Sequence, residues 1–245
     1  MQNYKMLIAY DGTKYNGWQK QGNTKNTLQG LLEFVLHKLL EEEVQVFGSG
    51  RTDAGVHAVG QVANFHYSKD LDCDWFLNKL NKSLPKDIAV NSFEKVEERF
   101  HSRLNAKEKI YEYKIWNSNI SDVFRERYMF QYSDTLDVKK MEEVANCFVG
   151  THDFLGFCSN KRYKKSTVRI IYSVDIKKVG NEISIVFHGN GFLYNMVRIL
   201  TGTVLAAGEG KISPIEVLEI FQDKKREDAG FTLPAKGLTL KEVRY

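Results

Sequence analysis

The clearest regularity along the chain lies between positions 28 and 39. Leu28, Leu31, Leu32, Val35 and Leu39 recur at helical spacing, and Gln29, Glu33, His37 and Lys38 take the other side. The spacing predicts an amphipathic helix. A strand pattern at 5–10 and a turn-rich segment, DGTKYNGWQKQGN, precede it. Residues 44–47 predict a short strand and 60–66 a second, separated by the glycine-rich turn GSGRTDAGVH. A helix follows at 74–81, with Trp75, Leu77 and Leu80 as its apolar contacts, and 88–93 reads as a strand. The order β-α-β-β-α-β is that of the split βαβ, or ferredoxin-like, arrangement: an antiparallel sheet with helices on one side.

The charged run EERFHSRLNAKEK reads as a junction. Beyond it, 110–116 and 127–132 predict strands and 138–149 a helix. Residues 168–179 and 183–188 predict two strands around the turn Gly180-Asn181. A helix is expected at 192–206, opened by HGNG with Asn190 as N-cap. Another is expected at 214–223, with Pro214 suited to its first position, and a strand at 240–245. The second half thus repeats the element order of the first, with insertions and without convincing sequence identity. The expected fold is α+β: two ferredoxin-like (RRM-like) halves, 1–100 and 101–245, joined edge to edge in a continuous, mostly antiparallel sheet. A central cleft would then lie between the halves, and such junctions favour ligands.

Composition narrows the class. The chain has 245 residues, 42% hydrophobic and 27% charged, with three prolines, as in ordinary soluble globular proteins. A net charge of +4 suits nucleic acid if the basic residues cluster on one face, and suits an ordinary soluble protein equally well. Cys73, Cys147 and Cys158 form no CxxC pair, and their odd number argues against a disulfide framework. Reduced thiols are expected. The opening residues run straight into a strand pattern, and no apolar stretch approaches bilayer length. A cytoplasmic protein without a leader or membrane anchor is expected.

The segment with the most unusual chemistry is FGSGRTDAGVHAVGQVANF, where Gly48, Gly50, Gly55 and Gly60 surround Arg51, Thr52, Asp53 and His57. Glycines permit tight turns and close approach to a ligand. The GK[ST] ending of a phosphate-binding loop is absent, and Ser49 lacks a GxSxG setting. His57 and His66 are remote in sequence from all three cysteines, so no metal is expected. The remaining alternative is a tight turn in which Asp53 only caps local backbone groups; on these residues alone it stands level with a functional loop.

GRTDAGVHAVGQVANF resembles, nearly residue for residue, the signature segment of the tRNA pseudouridine synthase A (TruA) family. The resemblance extends in family order through YDGTKYNGWQKQ, TLQGLLE, FHSRLNAKEKIYEYKIW, VGTHDFLGF, GFLYNMVRILTG and AKGLTLKEVRY. The segment SDVFRERYMFQY departs from it by lacking the proline many members carry. The resemblance implies that Asp53 is the catalytic aspartate and that Arg51 contacts substrate. It implies that Tyr111 stacks on the target base, that Arg198 pairs with the aspartate, and that Leu238 lines the uracil pocket. It further implies an isomerase that works without a cofactor, as a homodimer, on uridines 38, 39 and 40 of the tRNA anticodon stem-loop.

This chemistry suits the residue types. Pseudouridine formation breaks the N1–C1′ bond and rejoins the base through C5, with no redox change. A carboxylate serves as nucleophile if it stays ionised, and a guanidinium counters the desolvation that opposes ionisation. An ion pair between Asp53 and Arg198 across the two halves is therefore expected. Contacts to the RNA backbone are expected from Arg103, Lys161, Arg162, Lys164, Lys165 and Arg169, with Lys107 and Lys109 nearby. Two other functions compete. A non-catalytic RNA-recognition module would use Tyr111 and Tyr113 as an exposed aromatic pair. A hydrolase would require a second carboxylate facing Asp53.

Overall fold

The computed structural model describes residues 1–160 and 165–245. In chain order its strands and helices are β1 (Gln2–Tyr10), α1 (Leu28–Leu40), β2 (Phe47–Gly48), β3 (His57–Tyr67), α2 (Cys73–Ser83) and β4 (Ile88–Val96). There follow β5 (Glu108–Asn117), β6 (Phe130–Tyr132), α3 (Val138–Asn146), β7 (Gly150–Asp153), β8 (Val168–Val179) and β9 (Glu182–Gly189). The last are α4 (Met196–Gly208), α5 (Pro214–Asp223) and β10 (Leu238–Arg244). Among the described residues no helix is long and apolar enough to cross a membrane. The chain divides into two compact units, Met1–Lys107 with Thr239–Tyr245, and Glu108–Leu238.

The first unit is a ferredoxin-like fold. β1 lies between β3 and β4, antiparallel to both, so that Tyr4 sits opposite Phe65 on one side and Lys95 on the other. The other edge of β3 pairs with β2 (Phe47 opposite Asn64) and, in parallel, with β10 (Thr239 opposite His57). The 97–107 stretch belongs to this unit because its backbone is tied there. Asn3 Nδ2 donates to Phe100 O (2.8 Å), Ser102 N donates to Asn64 Oδ1 (2.9 Å), and Lys107 N donates to Arg244 O (2.8 Å).

α1 starts where Thr27 caps Gly30 N, and α2 where Asp72 caps Trp75 N. Between helices and sheet lie Tyr4, Phe65, Phe76 and Phe93, with Tyr4 and Phe93 stacked at 5.2 Å.

Three local expectations change here. Gln29 belongs to the buried side of α1, because its amide accepts from Gln19 Nε2 and Lys20 N and donates to Val46 O. The strand expected at 44–47 shrinks to Phe47–Gly48. The backbone groups of Val46 that a ladder would use are taken by Glu33 Oε1 and Gln29 Nε2. In α2 the core residues are Leu80, as expected, and Phe76; Trp75 is 57% exposed, with the Lys79 ammonium over its ring.

The second unit has the sheet order β5-β9-β8-β7, antiparallel throughout, with β6 added in parallel to β5. α4 is buried along its whole length except at Arg198. α5 opens with a capping box between Ser213 and Glu216 and has Pro214 at its first position.

The helix expected at 192–206 begins four residues later, at Met196. Asn190 does not cap it. Its side-chain oxygen accepts from Ile170 N (3.0 Å) and so serves the β8–β9 pair instead. Asn195 takes the cap position in a left-handed conformation (φ 58°). α3 ends at Asn146, short of the expected 149, since the chain must turn into β7, a strand the sequence pattern did not announce.

Candidate active site

Asp53 stands on a loop that is tied down on both sides of it. Ser49 N donates to Val62 O (2.7 Å) and Ser49 Oγ donates to Gln61 Oε1 (2.6 Å). Gln61 Nε2 donates to Gly50 O (3.1 Å) and to the Tyr10 hydroxyl oxygen (3.5 Å). The Tyr10 hydroxyl and Thr52 Oγ1 share a bond of 2.8 Å. Burial pushes the Tyr10 hydroxyl well above its ordinary pKa. Trp18 N donates to Thr52 O (3.0 Å) and Gly55 N to Tyr15 O (3.3 Å).

Asp53 itself opens a β-turn closed by Val56 N donating to Asp53 O (3.1 Å). Gly55 holds φ at 79°, the left-handed value a type II turn demands at its third residue. The Asp53 side chain is half-buried. Arg51, two residues earlier, is exposed, and its Nε donates to Gln19 Oε1 (3.0 Å). His57 follows the turn, 4% exposed, with Nδ1 3.1 Å from Gly12 N and 3.2 Å from Asp11 Oδ1.

In the second unit, Tyr111 lies on β5 opposite Phe187 and is 8% exposed, with the Phe192 ring edge-on at 5.2 Å. Tyr113 is fully buried and donates from its hydroxyl to Pro234 O (2.7 Å). Burial raises the Tyr113 pKa strongly, against the opposing effect of the nearby Arg198 charge. Tyr113 has no exposed face, so β5 lacks the exposed Tyr111–Tyr113 pair that an RNA-recognition module would use.

Arg198 is not a loose surface arginine. Its Nε donates to Leu233 O (2.6 Å) and its Nη1 to Asn195 Oδ1 (2.9 Å), which fixes the guanidinium plane. Leu238 is buried, directly after the turn Ala235–Gly237 that packs on the Tyr113 ring.

The expected RNA-backbone contacts divide. Arg103, Lys107 and Lys165 are exposed, and Lys109 is half-buried. The Arg169 guanidinium is turned onto its own chain and donates to Ser166 O (2.9 Å) and Val168 O (2.6 Å). Lys161, Arg162 and Lys164 lie outside the described residues. Among the described residues no three His, Cys, Asp or Glu side chains are grouped to hold a metal ion.

Reading by residue type passed over Gln61 and Tyr10, which support the Asp53 loop, and gave Thr52 no role. A signal was present: Gln61, like Asn64, is an amide within the largely apolar strand pattern of β3, and an amide that a sheet buries must find partners.

Known proteins match this chain along its length. A family model described as tRNA pseudouridine synthase matches residues 6–105 and 144–245. Proteins named tRNA pseudouridine synthase A from Brevibacillus brevis and from Bacillus sp. KSM-64 are 45% and 44% identical over 245 residues, covering all of both chains. One named tRNA pseudouridine synthase A 1 from Clostridium tetani is 45% identical, also over both full lengths. A chain in the crystal structure of a Cbf5–Nop10–Gar1 complex aligns with 83% of this chain and 54% of its own, at 12% identity and a TM-score of 0.33, too remote to carry an argument. With family-model matches on either side of residues 106–143 and relatives matching end to end, this chain belongs to the tRNA pseudouridine synthase family, isomerases that act on tRNA.

Proposed function

We propose that this chain converts uridine to pseudouridine at positions 38, 39 and 40 of the tRNA anticodon stem-loop. In this reading Asp53 is the nucleophile. Tyr111 stacks on the base and relays the C5 proton, and Arg198 supplies the positive charge that keeps Asp53 ionised. Arg51 contacts the substrate, and Leu238 lines the uracil pocket. The observation that carries the reading is the 49–56 loop. A half-buried carboxylate is set at the first position of a rigid turn, with the residues on both sides tied down by backbone and side-chain bonds. A turn that only capped itself would not need a buried amide, a serine, a threonine and a tyrosine behind it.

The reaction balances without a co-reactant. The N1–C1′ bond breaks, a C5–C1′ bond forms, C5 loses its proton and N1 ends protonated. The protein must therefore supply a nucleophile, a base for the C5 proton, and walls that retain the detached ring. The target uridine must leave its stack, at a cost of roughly a few kcal/mol, which contacts to the RNA backbone offset. The test is tritium release from tRNA labelled at uridine C5. Release without free uracil is the expected result. No release would leave only a binding module, and free uracil would mean a hydrolase.

Backbone contacts make binding ionic. If about four phosphates are neutralised by residues such as Arg103 and Lys165, log affinity falls against log salt with a slope of about −3. Filter binding over a salt series measures it; a slope near zero would remove the basic residues from the interface. The reading also includes a cytoplasmic homodimer. Sedimentation of the purified chain is expected to report two chains per particle, and a single-chain particle with full activity would strike the dimer from it.

A further inference from the structure

We propose that Gln61 is a positioning residue that sets the placement of the Asp53 carboxylate for reaction, and that it acts on turnover and not on tRNA binding. The proposal rests on the reading of Asp53 as the catalytic carboxylate.

Gln61 has no exposed surface. An amide in that setting is costly unless each of its polar atoms is bonded. Its three side-chain bonds go to the segment before Asp53 or to a residue that holds that segment. Oε1 accepts from Ser49 Oγ, and Nε2 donates to Gly50 O and to the Tyr10 hydroxyl, at 2.6, 3.1 and 3.5 Å. Through Tyr10 the chain of bonds reaches Thr52 Oγ1 at 2.8 Å, one residue before the carboxylate. Gln61 therefore joins β1, β3 and the loop at a single point. No apolar side chain of similar volume would hold Gly50 O and Ser49 Oγ at once.

A second position of the same strand, three residues on, supplies an internal comparison. Asn64, on the same strand, is an equally buried amide. Its bonds go to Asn3 Oδ1 (3.0 Å) and from Ser102 N (2.9 Å), away from the loop. Both residues hold the unit together, but only Gln61 holds the segment before Asp53. Displacing a reacting group by about 1 Å costs on the order of a hundredfold in rate.

The experiment compares Gln61→Met, Asn64→Leu, Tyr10→Phe and Thr52→Val in the full-length protein. Single-turnover tritium release and tRNA affinity are measured below the melting temperature and per folded molecule. Gln61→Met is expected to slow the single-turnover rate about a hundredfold with tRNA affinity unchanged. Tyr10→Phe and Thr52→Val are each expected to slow it by about tenfold, since each cuts one link of the chain. Asn64→Leu is expected to lower the melting temperature and leave the rate alone.

Equal rate losses in Gln61→Met and Asn64→Leu would overturn the proposal, because both would then act only through stability. So would a parental rate in Gln61→Met. If Gln61→Met does not fold, Thr52→Val decides: a parental rate there ends the proposal. A parent protein that releases no tritium would instead overturn the assignment of Asp53, a distinct outcome visible before any variant is made.

Discussion

Replacing Asp53 by Asn is expected to lower tritium release from C5-labelled tRNA by about 10⁴-fold or more, while the melting temperature and tRNA affinity stay close to those of the parent. Loss of a nucleophile that works as part of a catalytic unit has effects of that order. The fold should tolerate the change for a local reason. The turn is closed by the Asp53 carbonyl, not by its side chain, and Val56 N keeps its acceptor in either protein. Asn matches Asp in size and cannot carry the charge. Retained binding with lost turnover would separate a chemical role from a structural one. Turnover within tenfold of the parent would take the carboxylate out of the reaction and return the loop to a merely capped turn.

Gly202→Ala is expected to destabilise the second unit by about 3 kcal/mol, in the upper range for forcing atoms into a packed interior. The sign is what makes the test sharp. In an ordinary helix interior this substitution stabilises by about 1 kcal/mol, because glycine is the poorer helix former. Here a Cβ on Gly202 would overlap the carbonyl oxygen of Phe231, and across the crossing a Cβ on Gly230 would overlap the Gly202 backbone. α4 and the 229–233 segment therefore meet backbone to backbone, with Gly230 N donating to Thr203 Oγ1 (3.0 Å) at the crossing. The same 229–233 segment carries Leu233, whose carbonyl holds the Arg198 guanidinium. A lowered denaturant midpoint accompanied by lost turnover at low temperature is the expected pair of results. A raised midpoint would show that the two backbones are not in contact.

Much of the architecture is legible in the residue pattern because the helices and strands are amphipathic in the ordinary way. The period of Leu28, Leu32 and Val35 finds α1, and the turn Gly180-Asn181 separates β8 from β9 as expected. The errors share a cause. Gln29 looks polar and is buried, Asn190 looks like a helix cap and serves a strand, and Val46 looks like a strand residue and has its backbone groups taken by two side chains. In each case a polar side chain bonds to backbone far from it in sequence, and no periodicity records such a partner. In α2, where Leu80 is buried as expected, the choice of Trp75 failed for a related reason. Trp75 and Phe76 are both aromatic, and only the position of Phe93 on β4 selects Phe76 for the core.

The candidate chemistry divides along the same line. The Gly-rich setting of Arg51, Thr52 and Asp53 is visible in the sequence alone, since glycine and charge side by side mark a loop that approaches something closely. Through its likeness to a known family the sequence also named Tyr111, Arg198 and Leu238. The tertiary structure alone decided what holds these groups: the amide of Gln61 behind the Asp53 loop, the Leu233 carbonyl and Asn195 on Arg198, and the Phe192 edge on Tyr111. Residue identity is a property of one position. The rigidity of a site is a property of hydrogen bonds between positions that chain folding brings together.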